Sequence, residues 1–107
     1  MKIPALRALI SAIDEGSLRA AARRIGVSQP ALTKMIRELE QELAAPLLVR
    51  STTGVTPTAQ GKVLYERAGL ALRELAGAAQ EIGQLGGRMS GQLRIGAVPL
   101  AVMLLVP

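Results

Sequence analysis

The spacing of apolar residues predicts two short helices at the start of the chain. Apolar residues recur at steps of three and four over residues 3–14, which is the pattern of an amphipathic helix, and Gly16 ends it. Ser17 is a typical N-cap, because its hydroxyl can accept a hydrogen bond from a free N–H of the first turn. The second helix therefore begins after Ser17 and ends at Gly26.

A third helix follows after a short turn. Ser28 is a further N-cap, and Pro30 falls in the first turn, where its missing N–H costs little. The helix runs to about Leu43 or Ala44, because Pro46 prevents its continuation. Two short helices joined in this way make a helix-turn-helix candidate.

Residues 47–58 no longer follow helical spacing. The segments 47–51 and 55–57 predict two short strands, and a turn made of two threonines and Gly54 separates them. We therefore expect a β-hairpin with a glycine in its bend.

A long helix is predicted after the hairpin. Thr58 caps it, and no proline interrupts it through Leu85, so at about 1.5 Å per residue it is roughly 40 Å long. Apolar residues along it repeat at alternating steps of four and three, which makes a heptad seam. The seam consists of Leu64, Ala68, Ala71, Leu75, Ala78, Ile82 and Leu85. Another surface must cover it, and the chain's own first domain is one option.

The last residues predict a different element. The segment 92–98 has the pattern of a strand, and an apolar run continues to Pro107. Because a strand without partners cannot satisfy its backbone, we expect residues from about 91 to begin a further domain. The expected fold class is mainly α, a winged helix-turn-helix followed by a long linker helix. The expected divisions are a winged head at 1–58, the linker helix at 59–88, and a hinge with the start of the further domain at 89–107.

Composition excludes several kinds of chemistry. The 107 residues include no cysteine and no histidine, which rules out disulfides, thiolate zinc sites and the usual hydrolase triads. Glu38, Glu40 and Glu42 are spaced two apart on a helix and so point in different directions. We therefore expect no enzyme, no metal and no cofactor in this segment. Tyr65 is the only aromatic residue, which disfavours binding of RNA or single strands by base stacking.

The net charge of +5 is concentrated in the first third of the chain. Residues 1–37 carry seven basic and two acidic side chains, as expected where one end of a protein meets a polyanion. A solvated basic surface would give the same balance. Arg7 interrupts any signal peptide, and no uncharged stretch reaches the roughly 20 residues that span a bilayer. We expect a cytoplasmic protein that does not enter membranes.

The third helix has one apolar and one polar face. At about 100° per residue, the apolar face comprises Leu32, Met35, Ile36, Leu39 and Leu43. The opposite face, here called the polar arc, comprises Gln29, Pro30, Thr33, Lys34, Arg37 and Gln41, with Glu40 as the only acid among them. Amide, hydroxyl, ammonium and guanidinium groups are what a reader of the DNA major groove needs. The alternative is a three-helix bundle with an ordinary polar surface.

The hairpin strengthens the DNA hypothesis. A β-hairpin after a recognition helix, with Arg50 at its base and hydroxyl residues 51–53 near its tip, can touch the DNA backbone or minor groove. The alternative is a plain connector in which Arg50 pairs with Glu38 or Glu42.

Four motifs occur in an order and at a spacing that resemble the LysR-type transcriptional regulators. They are GSLRAAARRIGVSQPALTK from Gly16, IRELEQEL from Ile36, PLLVRS from Pro46 and TAQG from Thr58. The resemblance covers residues 1 to about 88, and GQLRIG from Gly91 is similar to the family's first effector-domain strand. Two departures are aliphatic residues in the first helix and at Leu48, where the family often has aromatic ones.

The resemblance implies which residues contact DNA. The recognition helix would present Ser28, Gln29, Pro30, Thr33, Lys34 and Arg37. The supporting helix would contribute Ser17, Leu18 and Arg19, and the wing would contribute Arg50 with Thr52 or Thr53.

The resemblance also implies partners. The linker helices of two copies would pack antiparallel through the seam, and the dimer would bind an inverted repeat in double-stranded DNA. A tetramer and contact with RNA polymerase are further expectations for a longer protein, as is a small-molecule inducer bound by the absent effector domain. A winged-helix and coiled-coil module that binds proteins rather than DNA is the alternative.

Overall fold

The computed structural model describes residues 1–86, and the predicted strand at 92–98 lies outside them. The elements, in chain order, are α1 (Ile3–Glu15), α2 (Leu18–Ile25), α3 (Gln29–Leu43), β1 (Leu48–Ser51), β2 (Gly54–Pro57) and α4 (Ala59–Leu85). The three short helices pack on one another, and the two strands pair antiparallel. The predicted fold class, a mainly α winged helix-turn-helix followed by a long helix, is confirmed.

Serine hydroxyl groups begin α2 and α3 as their positions predict. Ser17 Oγ accepts a hydrogen bond from the Ala20 N–H at 3.2 Å, and Ser28 Oγ accepts one from the Ala31 N–H at 3.2 Å. Each bond satisfies an N–H group that has no partner within its own helix. The first turns of α2 and α3 are therefore both capped.

The core is aliphatic throughout, as a chain without Phe or Trp requires. Its largest fully buried side chains are Leu9, Leu32, Leu39 and Leu47, contributed by α1, α3 and the start of the hairpin. Leu43, which we predicted on the apolar face of α3, is instead 37% exposed. It is the last residue of the helix, and the chain turns away at Ala44 in a left-handed conformation (φ 53°), so the core does not extend that far.

The wing, formed by β1 and β2, is attached to the turn between α1 and α2. The Val55 N–H donates to the Gly16 carbonyl at 3.0 Å. Gly54 comes so close to the same carbonyl that a Cβ atom there would lie 2.2 Å from the Gly16 oxygen, and its φ is +135°. Only glycine fits this conformation and this approach. The position of the wing beside the head thus depends on Gly54.

The start of α4 is attached to the residues that precede β1. Thr58 Oγ1 donates to the Pro46 carbonyl at 2.6 Å and accepts from the Gly61 N–H at 2.9 Å. A Cβ atom at Gly61 would lie 2.0 Å from the Leu47 oxygen, so the helix backbone packs directly against this segment. The predicted cap at Thr58 is confirmed, and it also links the helix to the head.

The chain divides into two compact units, Met1–Gly69 and a second one that begins at Leu70. The division falls within the predicted seam. Leu64 packs against the core of the first unit, and Ala68 is only 4% exposed. The other seam residues are exposed, namely Ala71, Leu75, Ala78, Ile82 and Leu85. Leu64 and Ala68 are therefore not free seam positions, and the exposed part of the predicted seam begins at Ala71.

Among residues 1–86, no helix is both long and apolar enough to cross a membrane.

Candidate nucleic-acid interface

The polar arc of α3 lies at the surface of the head. Gln29, Pro30, Lys34 and Arg37 are exposed, and Thr33 is half-buried. The buried residues of the same helix, Leu32, Ile36 and Leu39, hold its other face in the core. Because that packing fixes the helix about its axis, the arc presents its polar groups in a defined order along one side.

The basic groups of the candidate interface carry uncompensated charge. The ion pairs in the described part of the chain join the N-terminal amine to Glu42, and Arg24 to Asp14 and Glu15. None of them involves a basic residue of the polar arc, the start of α2 or the wing. Those residues are Arg19, Lys34, Arg37 and Arg50. Their charges are thus available to an anionic partner.

The start of α2 differs from the prediction at one residue. Arg19 is exposed and Ser17 is half-buried, but the side chain of Leu18 is 8% exposed and belongs to the core. Leu18 therefore cannot offer its side chain to DNA. Its apolar side chain gains more from burial than from a surface position, and at most its backbone N–H, in the first turn of the helix, is left for a phosphate.

The wing presents one cation and several hydroxyl groups. Arg50 is exposed and forms no ion pair within residues 1–86, so the alternative of a pair with Glu38 or Glu42 is not observed. At the tip, Ser51 Oγ and Thr53 Oγ1 are 2.9 Å apart, and Ser51 Oγ also accepts from the Thr53 N–H at 3.3 Å. These bonds hold the tip in one shape, and Thr52 beside them is exposed.

A groove of about 200 Å³ separates α3 from the wing. It is lined by Leu18, Thr33, Ile36, Arg37, Glu40, Leu48 and Arg50. The structure therefore brings the predicted residues of α3 and the wing to opposite sides of one depression. Arg37 lies on the helix side and Arg50 on the wing side, so both can act on the same stretch of a polyanion.

Two polar contacts near this interface were not predicted. Glu40 Oε2 accepts from the Leu47 N–H at 2.7 Å, and the only hint in the sequence is that Glu40 is the one acid on the polar arc. Tyr65 of α4 donates to Asp14 Oδ1 at 2.5 Å, while Asp14 Oδ2 also pairs with Arg24 of α2. Tyr65 is the only aromatic residue, which is a weak signal for a specific role.

In the part of the chain that the structure describes, no group of three or more acidic side chains could hold a metal ion. The groove contains a single carboxylate, that of Glu40, beside two guanidinium groups. Its chemistry suits binding of an anion.

A fold of three helices and a wing, with a cationic arc on the third helix, defines the class of winged helix-turn-helix proteins. The family model for bacterial regulatory helix-turn-helix proteins of the lysR family matches residues 3–62. This chain therefore belongs to the lysR family.

Individual relatives agree with this assignment. The nitrogen assimilation regulatory protein nac of Escherichia coli (strain K12) is 39% identical over 99 residues, which are 92% of this chain and 32% of that protein. The crystal structure of the CbnR_DBD-DNA complex is similar with a TM-score of 0.72 and 36% identity, covering 81% of this chain and 99% of that chain. The BenM_DBD/benA site 1 DNA complex is similar with a TM-score of 0.76 and 28% identity, covering 79% of this chain and 99% of that chain.

The chain spans about a third of the length of the curated relatives that it matches.

Proposed function

We propose that this chain is the DNA-binding and dimerising part of a transcription regulator. In this proposal it binds double-stranded DNA in a sequence-specific manner and has no catalytic role. The observation that carries the proposal is the polar arc of α3, whose basic residues form no ion pair within residues 1–86 and which lines a groove together with Arg50 of the wing. The solved DNA complexes of similar domains support it.

Each group of the arc has chemistry suited to duplex DNA. The amide of Gln29 can pair with adenine through two hydrogen bonds, and the guanidinium of Arg37 can pair in the same way with guanine. Lys34 and Arg19 can neutralise phosphates, which provides affinity without sequence preference. Arg50 can bind the backbone or minor groove next to the segment that α3 occupies.

The exposed part of the seam supports dimerisation through α4. Leu75, Ile82 and Leu85 are 55%, 68% and 77% exposed, which is a large apolar stripe for an isolated helix to leave in water. A second copy covers it in the proposed dimer. Two linked heads then bind DNA with higher effective affinity, because the second contact is intramolecular. The two-fold symmetry predicts an inverted repeat with half-sites about one helical turn apart, or a multiple of it.

The larger protein is part of the same proposal. The relatives are about three times as long as the matched segment, which supports a further domain for a small-molecule inducer. A tetramer, a contact with RNA polymerase and a cytoplasmic location would follow from a role in transcription. None of these rests on residues 1–86.

The direct test is gel retardation of genomic DNA fragments by the purified chain. Gln29→Ala and Lys34→Ala should each weaken retention by about tenfold, since one good contact to DNA contributes about 1–3 kcal/mol and about 1.4 kcal/mol corresponds to a factor of ten. Arg73→Ala is the matched control, because Arg73 is exposed on α4 outside the arc and the wing. Circular dichroism verifies that each variant is folded. Equal retention by all variants, or none by the unmodified chain at low salt, would favour the protein-interaction alternative.

A further inference from the structure

Glu40 is out of place on a surface that binds a polyanion. Five residues of the polar arc precede Glu40 on α3, all of them neutral or basic and all exposed or half-buried. Glu40 is the only acid on this side of the helix. A carboxylate facing phosphates weakens binding through like-charge repulsion. Its presence at this position therefore requires another reason.

The structure gives that reason in two backbone contacts. Glu40 Oε2 accepts hydrogen bonds from the Leu47 N–H at 2.7 Å and from the Leu48 N–H at 3.4 Å. Leu47 directly precedes β1 and Leu48 is its first residue, and both bonds are partly buried. Hydrogen bonds to a charged acceptor are shorter and about twice as strong as neutral ones. Glu40 thus fastens the base of the wing to the recognition helix.

The wing depends on such attachments. It has only two strands of four residues each, and an isolated two-stranded hairpin is at best marginally stable. One attachment, from the Val55 N–H to the Gly16 carbonyl, joins β2 to the turn before α2. The Glu40 carboxylate joins the base of the wing to α3, beside the apolar packing of Leu47 and Leu48 on the core. It is a polar contact between the wing and the helix that carries the polar arc.

We propose that Glu40 is a positioning residue for DNA binding, which acts by holding Arg50 of the wing at a fixed distance from Arg37 of α3. The proposal rests on the proposed DNA-binding function. All three side chains line the groove between α3 and the wing. With the wing fixed, Arg50 meets the DNA backbone while Arg37 contacts the adjoining bases, and the ordering cost at the moment of binding is lower.

The sign of the effect separates this role from simple electrostatics. If Glu40 mattered only as a charge, its removal would reduce repulsion and tighten DNA binding. A positioning role predicts the opposite, since a displaced wing loses the Arg50 contact. Glu40→Gln keeps the size of the side chain and one neutral acceptor oxygen, and Glu40→Ala removes the acceptor altogether.

The experiment measures binding of a labelled duplex, selected from genomic fragments that the unmodified chain retains, by fluorescence anisotropy over a series of salt concentrations. Glu38→Gln is the control, because Glu38 is exposed on the same helix and makes no hydrogen bond or ion pair within residues 1–86. Glu40→Gln should weaken binding by about threefold and Glu40→Ala by about tenfold, as expected for a charge-assisted bond reduced or lost. Glu38→Gln should leave binding unchanged or slightly tighter.

Coupling to Arg50 provides the decisive comparison. In an Arg50→Ala background, Glu40→Gln should weaken binding by less than about twofold, because the contact that it positions is already gone. In the otherwise unmodified chain, Glu40→Gln should change the salt dependence in the same direction as Arg50→Ala. Loss of one phosphate contact reduces the magnitude of the slope by about 0.9. Full additivity of the two substitutions, or equal affinities of the Glu40→Gln and Glu38→Gln variants, would overturn the proposal.

A measurement without DNA distinguishes failure of this proposal from failure of the proposed function. Amide hydrogen exchange by NMR should show faster exchange at Leu47 in the Glu40→Ala variant, with the protection of α1 retained. Unchanged exchange at Leu47 would overturn the attachment itself. If the unmodified chain bound no duplex, the positioning role and the proposed function would both be overturned, whatever the exchange data showed.

Discussion

Two serine hydroxyl groups in the first two helices lie in opposite environments. Ser11 is 3% exposed in α1, and its Oγ has no hydrogen-bond partner within residues 1–86. Ser17 begins α2, and its Oγ accepts from the Ala20 N–H at 3.2 Å. A buried hydroxyl without a partner destabilises the folded state, whereas a capping hydroxyl stabilises it.

The same substitution should therefore have opposite effects at the two positions. We expect Ser11→Ala to raise the free energy of unfolding by about 1 kcal/mol, because it removes an unpaired polar group and introduces a better helix former. Ser17→Ala should lower it by about 1 kcal/mol through loss of the cap. Urea unfolding followed by circular dichroism measures both values. A destabilised Ser11→Ala variant would show that this hydroxyl has a partner in solution.

Single residues were predictable where their role depends on neighbours in sequence. The caps at Ser17, Ser28 and Thr58 are of this kind, because each hydroxyl binds an N–H three residues ahead. The burial of Leu18 also follows from spacing, because Leu18, Ala21 and Ala22 lie on one side of α2, and only the resemblance placed Leu18 at the DNA. The contact of Glu40 was not predictable, since the sequence pattern predicts α3 and the wing but not how one packs on the other.

At the scale of elements, the wing is held by a backbone approach that only glycine permits. A Cβ atom at Gly54 would lie 2.2 Å from the Gly16 oxygen, whereas a Cβ atom at Gly26 would meet nothing within 4 Å. Gly26 has a left-handed φ of 76°, whereas Gly54 has a φ of 135°, so Gly54 combines a steric clash with a more demanding backbone conformation.

We expect Gly26→Ala to cost about 1 kcal/mol of stability, the usual cost of a left-handed alanine. Gly54→Ala should cost clearly more, and it should also disrupt the Val55 bond to Gly16 and displace the wing. Thermal unfolding measures the stability of each variant, and NMR shifts of the wing amides report its position. Equal losses in the two variants, with the wing signals unchanged, would mean that the close approach does not constrain the hairpin.

The boundaries of the elements followed from local signals, but the extent of their packing did not. Each predicted helix begins and ends within about a residue of its observed limits, because prolines, glycines and caps act on the local backbone. Leu43 has the right period for the core and is nevertheless 37% exposed, since its position at the end of α3 leaves nothing to cover it. The spacing of apolar residues identifies the apolar face of a helix, but it does not identify the element that covers this face.

At the scale of the whole molecule, the seam of α4 would serve two purposes in the proposed dimer. Leu64 packs on the head, Ala68 is buried, and the exposed remainder begins at Ala71. A heptad pattern cannot distinguish these two uses, because both require apolar residues at the same spacing. The alternative that the stripe packs on its own domain is thus correct for one end of it.

The exposed part of the seam should mediate dimerisation. Leu75 lies on the seam and Leu70 does not, yet they are 55% and 56% exposed on the same helix. We expect Leu75→Glu to raise the dimer dissociation constant by about tenfold or more, because a charge would be buried against the second copy. Leu70→Glu should leave it unchanged. Sedimentation equilibrium measures both constants.

Two outcomes would count against this dimer. If Leu70→Glu dissociated the dimer as strongly as Leu75→Glu, the interface would not follow the heptad seam. If the unmodified chain remained monomeric at high micromolar concentration, the exposed seam would need a different partner.

The salt dependence of duplex binding tests the central claim most directly. The claim is that the uncompensated cations of the polar arc and the wing bind the DNA backbone while Gln29 and its neighbours read the bases. We predict that the affinity of the 107-residue chain for retained genomic duplex falls linearly on a logarithmic salt scale, with a slope of about −0.9 for each phosphate contacted. A slope near zero, or no binding at low salt, would contradict the account.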